Sequence, residues 1–237
     1  MLSKIIIKDN NVELIKYIAL LCMVMDHVNK YLLNYSIPYF FEMGRLAMPL
    51  FGFILAYNLS RESYYNNPEK LKKTFIKLLL FGVIATPFYI LLGGVKFGFW
   101  PLNILYTFAV SVVIIYVIEA RQNIKYWSLT LALTFSIGGS LVEYWHPAVL
   151  LVVSAWWYFK TPNFYALVGI IISLIGLSLI NGNAYAALSI PLLLVLNLKD
   201  IPFFRLQNFF YWFYPIHLIA LLLIRIPMAN AGYLFFI

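Results

Sequence analysis

The sequence predicts an all-α, polytopic integral membrane helix bundle of about nine transmembrane helices, a single domain over residues 1–237 with a cytoplasmic N-terminus. Three observations carry this. The chain is 63% hydrophobic and 11% charged, where soluble domains hold about 45–50% apolar and about 25% charged residues. Apolar runs recur near 14–33, 45–60, 74–92, 101–119, 126–142, 147–159, 164–180, 184–197 and 208–227, and a helix of about 20 residues crosses roughly 30 Å of hydrocarbon. Threading those runs alternately puts thirteen of the seventeen basic residues on the inner side and leaves Lys30, Arg45, Lys96 and Arg225 outside, the asymmetry of positive-inside topology.

Taken in order, the first run follows Lys4 and Lys8 but meets no small-residue cleavage site, so it reads as a membrane helix and not a signal peptide. Asn10 with Glu13 resembles a capping box opening it. Pro49, Pro87, Pro191 and Pro215 fall inside runs, where proline kinks a helix around a cavity. The run at 147–159 is short enough to be tilted or re-entrant. Arg61–Lys73 is the longest polar stretch; it reads as a positive-inside anchor, or as Lys70, Lys72 and Lys73 attracting an anionic ligand such as a nucleotide phosphate. The net charge of +8 follows from the topology, so membrane lipid and not nucleic acid is the expected partner.

Chemistry concentrates at Asp26 and His27, near the end of the first run. A charge at membrane depth costs several kcal/mol, so such residues persist where they work as a base, a relay or a ligand site, or hold a partner. Lys16 stands eleven residues upstream, almost three turns, which puts it on the face of His27 at roughly 16 Å along the axis. Arg45, at the start of the second helix, neutralises Asp26 and leaves His27 free to exchange a proton. Neighbouring side chains on a helix point about 100° apart, so Asp26 does not orient His27. The bland alternative is a helix-pairing Asp26–Arg45 ion pair beside a packing histidine. His217 follows Pro215, whose missing N–H frees a carbonyl for a ring or ligand. Asn103 binds a polar group or makes an interhelical hydrogen bond. Glu143 is a helix-end charge or a carboxylate facing an outer cavity, and His146 beside Trp145 is interfacial.

Other chemistries lack their parts. The three histidines are widely separated with no metal-ligand spacing, so no metal is expected. There is no Gly-x-Ser-x-Gly elbow and no Walker loop. The one cysteine, Cys22, excludes an intrachain disulfide and points away from His27, against a Cys–His nucleophile.

Four blocks resemble the TraX family: Met23 to His27, Gly44 to Phe51, Leu102 to Tyr106 and Phe213 to Leu218. TraX is itself similar to the wider acyltransferase-3 group of membrane enzymes, whose first helix carries a basic residue and a histidine separated by ten residues, as Lys16 and His27 are. The chain departs from the pattern after Glu143, where a glycine-bearing turn is expected and Tyr144-Trp145-His146-Pro147 stands. The resemblance implies a multi-pass acetyltransferase of the bacterial cytoplasmic (inner) membrane. Its co-substrate would be acetyl-CoA, with the nucleotide end held near Lys16, Lys70, Lys72 and Lys73. Its acceptor would be a pilin-like N-terminal amine or another cell-surface group arriving from outside. His27 would act as general base with Asp26 and Arg45 beside it, and Asn103, Tyr106 and His217 would bind substrate or stabilise the oxyanion. O-acetylation of a surface glycan, a proton-coupled transporter and a non-enzymatic pilus-assembly subunit are the alternatives.

Overall fold

The computed structural model describes residues 3–65, 67–203, 205–206 and 208–235. Helix α1 (Asp9–Tyr31) has Asp9 in its first turn and Lys30 in its last, each charge complementing the helix dipole. Its N-cap is Lys8 with no side-chain cap, so the expected Asn10–Glu13 box does not form: Glu13 turns to Lys16 at 2.6 Å, and Asn10 donates to Asp200. The second span is broken. Helix α2 (Pro38–Gly44), with proline at its start, and α3 (Ala47–Leu59) are separated at Arg45 and Leu46.

A short α4 (Glu62–Tyr65) precedes α5 (Pro68–Leu91), again opened by a proline. Helix α6 (Ile104–Glu119) is capped by Asn103, whose side chain accepts from the Leu105 amide. Helix α7 (Trp127–Leu133) widens to π geometry over Thr134–Gly138 and ends in α8 (Gly139–Leu141). Helices α9 (Trp145–Lys160) and α10 (Phe164–Asn181) follow; Asn163 caps α10, and Gly182 at φ +70° ends it. A 3-10 turn at Tyr185–Leu188 leads into α11 (Ser189–Leu196), and α12 (Phe209–Asn230) closes the chain. Pro49 and Pro191 sit in the first turns of α3 and α11, so the prolines lodged inside helices are Pro87, Pro215 and Pro227.

Six helices form a ring in the order α1, α3, α9, α6, α5, α12, with α12 returning to α1. Helix α2 backs α1, α10 lies outside α9, and α7 lies outside α6. The apolar core fills the α3–α9–α6 side, where Leu50, Ala56, Leu151, Val152, Ala155 and Ile115 are fully enclosed. Among the described residues the fold is all-helical, and four segments are long and apolar enough to cross a membrane: Pro38–Leu59, Pro68–Leu91, Phe164–Asn181 and Phe209–Asn230. Every one of the expected apolar runs falls on a helical segment. Several are short, with α6 and α9 at 16 residues each. Helix α1 is long enough, but Glu13, Lys16, Asp26 and Lys30 lower its hydropathy.

Helices α1 and α2 meet at Gly44. A Cβ there would stand 2.4 Å from the Asp26 Cβ and 2.7 Å from its carboxylate, so only glycine allows the approach. Gly44→Ala should lower stability by about 1–3 kcal/mol through forced displacement. Thermal unfolding in detergent checks this, and an unchanged midpoint would contradict so close a crossing.

Candidate functional site

The break between α2 and α3 aims the Arg45 side chain back at α1. One of its terminal nitrogens pairs with the Asp26 carboxylate, the other donates to Asn181 at 3.1 Å, and its Nε donates to the Phe41 carbonyl at 3.2 Å. The guanidinium also lies 4.3 Å from the Phe41 ring centre. Asp26 is 8% exposed, so this is a buried pair in which each guanidinium nitrogen has a partner, and such further hydrogen bonds are what make a buried pair tolerable.

His27 faces the other way. Its Nδ1 lies 2.7 Å from Nε2 of His217 on α12, and the two rings stack at 5.0 Å and 15°. His217 Nδ1 lies 3.1 Å from the Phe213 carbonyl. A carbonyl only accepts, so His217 Nδ1 carries the hydrogen, and in the neutral ring its Nε2 is bare. His27 then donates from Nδ1 to that nitrogen, and its own Nε2 is left with a free lone pair. The ring bonds the Phe213 carbonyl, four residues back, and not the carbonyl of Tyr211 that Pro215 leaves without its helical partner.

Two cavities meet at this point. The lower one, toward the Asp9 end of α1, has a volume of about 550 Å³ and a basic wall of Lys16, Lys70, Lys73, Lys77 and Arg205. The upper one, toward the Tyr31 end, has about 560 Å³ and carries Lys30, Tyr35, Lys96, Trp100 and Trp145. Asp26, His27, Glu143 and Tyr144 line both. Lys16 projects into the lower cavity, held by Glu13 at 2.6 Å and lying 4.6 Å from the Phe210 ring centre.

Several residues expected at the site stand elsewhere. Lys72 is exposed and lines neither cavity, because on α5 it points about 100° away from Lys73. Asn103 is 1% exposed and fully engaged, capping α6 and donating to the Gly82 carbonyl and Thr86 hydroxyl at 3.0 and 3.2 Å. Tyr106 packs against Gly82, with its hydroxyl 3.5 Å from that of Thr86, and also lines neither cavity. His217 stands behind His27 and outside both cavities, in contact with the His27 ring and not with the cavity space.

Conversely, Lys77, Arg205 and Tyr144 line the site without having been singled out. Lys77 lies four residues after Lys73, one turn further along α5, a spacing the sequence does carry. Tyr144 and Trp145 both adopt left-handed backbone, at φ 59° and 52°, where the resemblance had led us to expect glycine. Non-glycine residues there cost about 1–3 kcal/mol each and cluster at functional sites. The turn is pinned by Glu143 N–H to the Leu102 carbonyl and by the Thr107 hydroxyl to the Glu143 carbonyl, both 2.9 Å.

Among known proteins, the family described as "TraX protein" matches residues 11–225. Two Escherichia coli proteins named Protein TraX, one from strain K12, align over 111 residues at 33% and 31% identity. That covers 47% of this chain and 41% of each relative, so the alignment spans well under half the length of the curated relatives. No solved structure matches the chain. With the family matched across most of its length, and with the Asp26–His27, Gly44–Arg45 and His217 segments all meeting at one buried point, the chain belongs to the TraX family.

Proposed function

We propose that the protein is a membrane-embedded acetyltransferase that moves an acetyl group from acetyl-CoA to an acceptor presented on the opposite side of the membrane. The observation that carries this reading is the position of His27, where two cavities of similar size from opposite ends of α1 meet. The membrane is the bacterial cytoplasmic one, spanned about nine times with the N-terminus inside, which makes the lower cavity cytoplasmic.

The lower cavity suits a long, polyanionic donor. Its basic wall faces the nucleotide end, and Lys16 lies roughly 16 Å along α1 from His27, a span that an extended pantetheine arm covers. The acceptor enters from the upper cavity, an amine such as a pilin-like N-terminus, or a hydroxyl of a surface glycan. Its nucleophilic atom attacks the thioester carbonyl while His27 Nε2 takes the proton it sheds. The carbon–sulfur bond then breaks, and His27 returns that proton to the departing sulfur. His217 keeps the base in the correct tautomer throughout. Asp26 and Arg45 are positioning groups that fix α1 against α2.

The deciding assay is acetyl-CoA turnover by purified protein with peptide-amine and sugar acceptors. His27→Ala should lower kcat about 10²–10⁴-fold, the usual worth of general-base assistance, with acetyl-CoA still bound. A wild-type protein that fails to bind acetyl-CoA would transfer the case to proton-coupled transport. His217→Gln, which keeps an acceptor oxygen facing His27 Nδ1, should retain most of the rate that His217→Leu loses. Equal losses would remove the tautomer role. Replacing Lys73 and Lys77 together by Gln should raise the KM for acetyl-CoA about tenfold or more, since hydrogen bonds to charged groups are worth about 1.5–3 kcal/mol, with kcat little moved. Titrating acetyl-CoA under steady state checks it.

A further inference from the structure

Glu143 is a carboxylate at the junction of both cavities that the acetyl-transfer scheme does not use. Asp26, its neighbour there, is neutralised by Arg45. Glu143 is not: among the described residues no lysine or arginine nitrogen lies within ion-pairing distance of it. Its carboxylate faces the Ile104 amide at the first turn of α6, and its backbone is held on both sides by the 2.9 Å bonds from Glu143 N–H to Leu102 and from Thr107 to the Glu143 carbonyl. A carboxyl group held by its own backbone is thus presented at the same cavity junction as His27.

Lys30 is the complementary case. It stands three residues after His27, on the same side of α1 and one turn toward the mouth. It lines the upper cavity together with Glu143 and makes no direct ion pair with it. Lys96 adds a second cation at the rim, near the stacked rings of Trp100 and Trp145. The cavity therefore offers a carboxyl group at its floor and two basic side chains above it.

We propose that the acceptor is a zwitterion: a primary ammonium that docks against Glu143, with an anionic group close by in the same molecule that docks against Lys30 and, at the rim, Lys96. This rests on the acetyltransferase reading above and names the acceptor chemistry for its upper cavity. The protons balance. An ammonium sheds one proton to water through the upper cavity before its nitrogen can attack. It loses a second to His27 Nε2 as the C–N bond forms, and that proton leaves on the sulfur as the C–S bond breaks. Glu143 holds the ammonium on arrival and is a specificity residue; His27 remains the base.

The test uses the full-length protein in detergent with acetyl-CoA and three soluble probes. Phosphoethanolamine carries both charges, ethanolamine only the ammonium, and glycerol phosphate only the anion with hydroxyls. The wild type should rank phosphoethanolamine first in kcat/KM. Glu143→Gln should shrink the preference for phosphoethanolamine over glycerol phosphate about tenfold or more, and Lys30→Gln should shrink its preference over ethanolamine by a similar factor, each the loss of one charge-assisted contact. The KM for acetyl-CoA, read in the same assays, reports that both variants remain folded. The proposal is overturned if the wild type uses glycerol phosphate as well as phosphoethanolamine. It also falls if the two substitutions depress all probes alike, or if acetyl-CoA binds normally and neither amine is acetylated. Failure of the wild type to bind acetyl-CoA is a separate result, which removes the acetyltransferase reading itself.

Discussion

The close crossing of α1 and α2 at Gly44 is the constraint on which the site depends. It lets Arg45 reach Asp26 across a gap that a single methyl group would fill. A carboxylate buried alone among these helices would be strongly unfavourable, and an arginine alone equally so. Together, with Asn181 and the Phe41 carbonyl each accepting from another guanidinium nitrogen, they form one polar cluster. The pair clamps α1 to the α2–α3 break and ties both to the end of α10. Everything else at the site is registered from this clamp, because α1 is a rigid rod and Asp26 fixes both its height and its rotation.

Rotation matters as much as height. With Asp26 turned toward α2, the next residue points about 100° away, into the gap between α1 and α12. There it meets His217. The ring of six helices is closed at that seam by aromatic side chains and the histidine pair, with Lys16 and Phe210 below them and the two imidazoles above. The same seam opens into the lower cavity, so the residue that closes the ring is also the one a donor would meet. The Phe213 carbonyl decides the tautomer of both rings by a chain of two hydrogen bonds. A hydroxyl in its place would have left the direction of those bonds undetermined.

Much of this was legible in the sequence, for identifiable reasons. Charges in an apolar run are conspicuous, and helical periodicity turns their spacing into geometry, so Lys16, Asp26, His27 and the partner Arg45 all stood out. The apolar runs likewise marked the helical segments. What periodicity does not report is contact between distant segments. The meeting of His27 with His217 spans 190 positions, and only the fold brings Glu143 to the junction of two cavities. For Asn103 two readings stood open, a group that binds a polar ligand or an interhelical hydrogen bond, because nothing local distinguishes them until its bonds to Leu105, Gly82 and Thr86 are seen. Tyr144 and Trp145 concealed a left-handed turn because side chains of that kind seldom adopt one.

The distribution of charge along α1 gives the two cavities their different characters. Lys16, His27 and Lys30 fall within about 60° of one another around the helix, at heights spread over roughly 21 Å. At the lower end Lys16 joins four other basic residues of the cavity wall. At the upper end Lys30 is offset by Glu143. A polyanion therefore meets more basic side chains in the lower cavity than in the upper one, where Lys30 and Lys96 stand with Glu143. One additional residue between Lys16 and Asp26 would rotate Lys16 by about 100° away from the cavity, with the Asp26–Arg45 clamp untouched, so the spacing along this helix decides whether Lys16 and His27 line the same cavity.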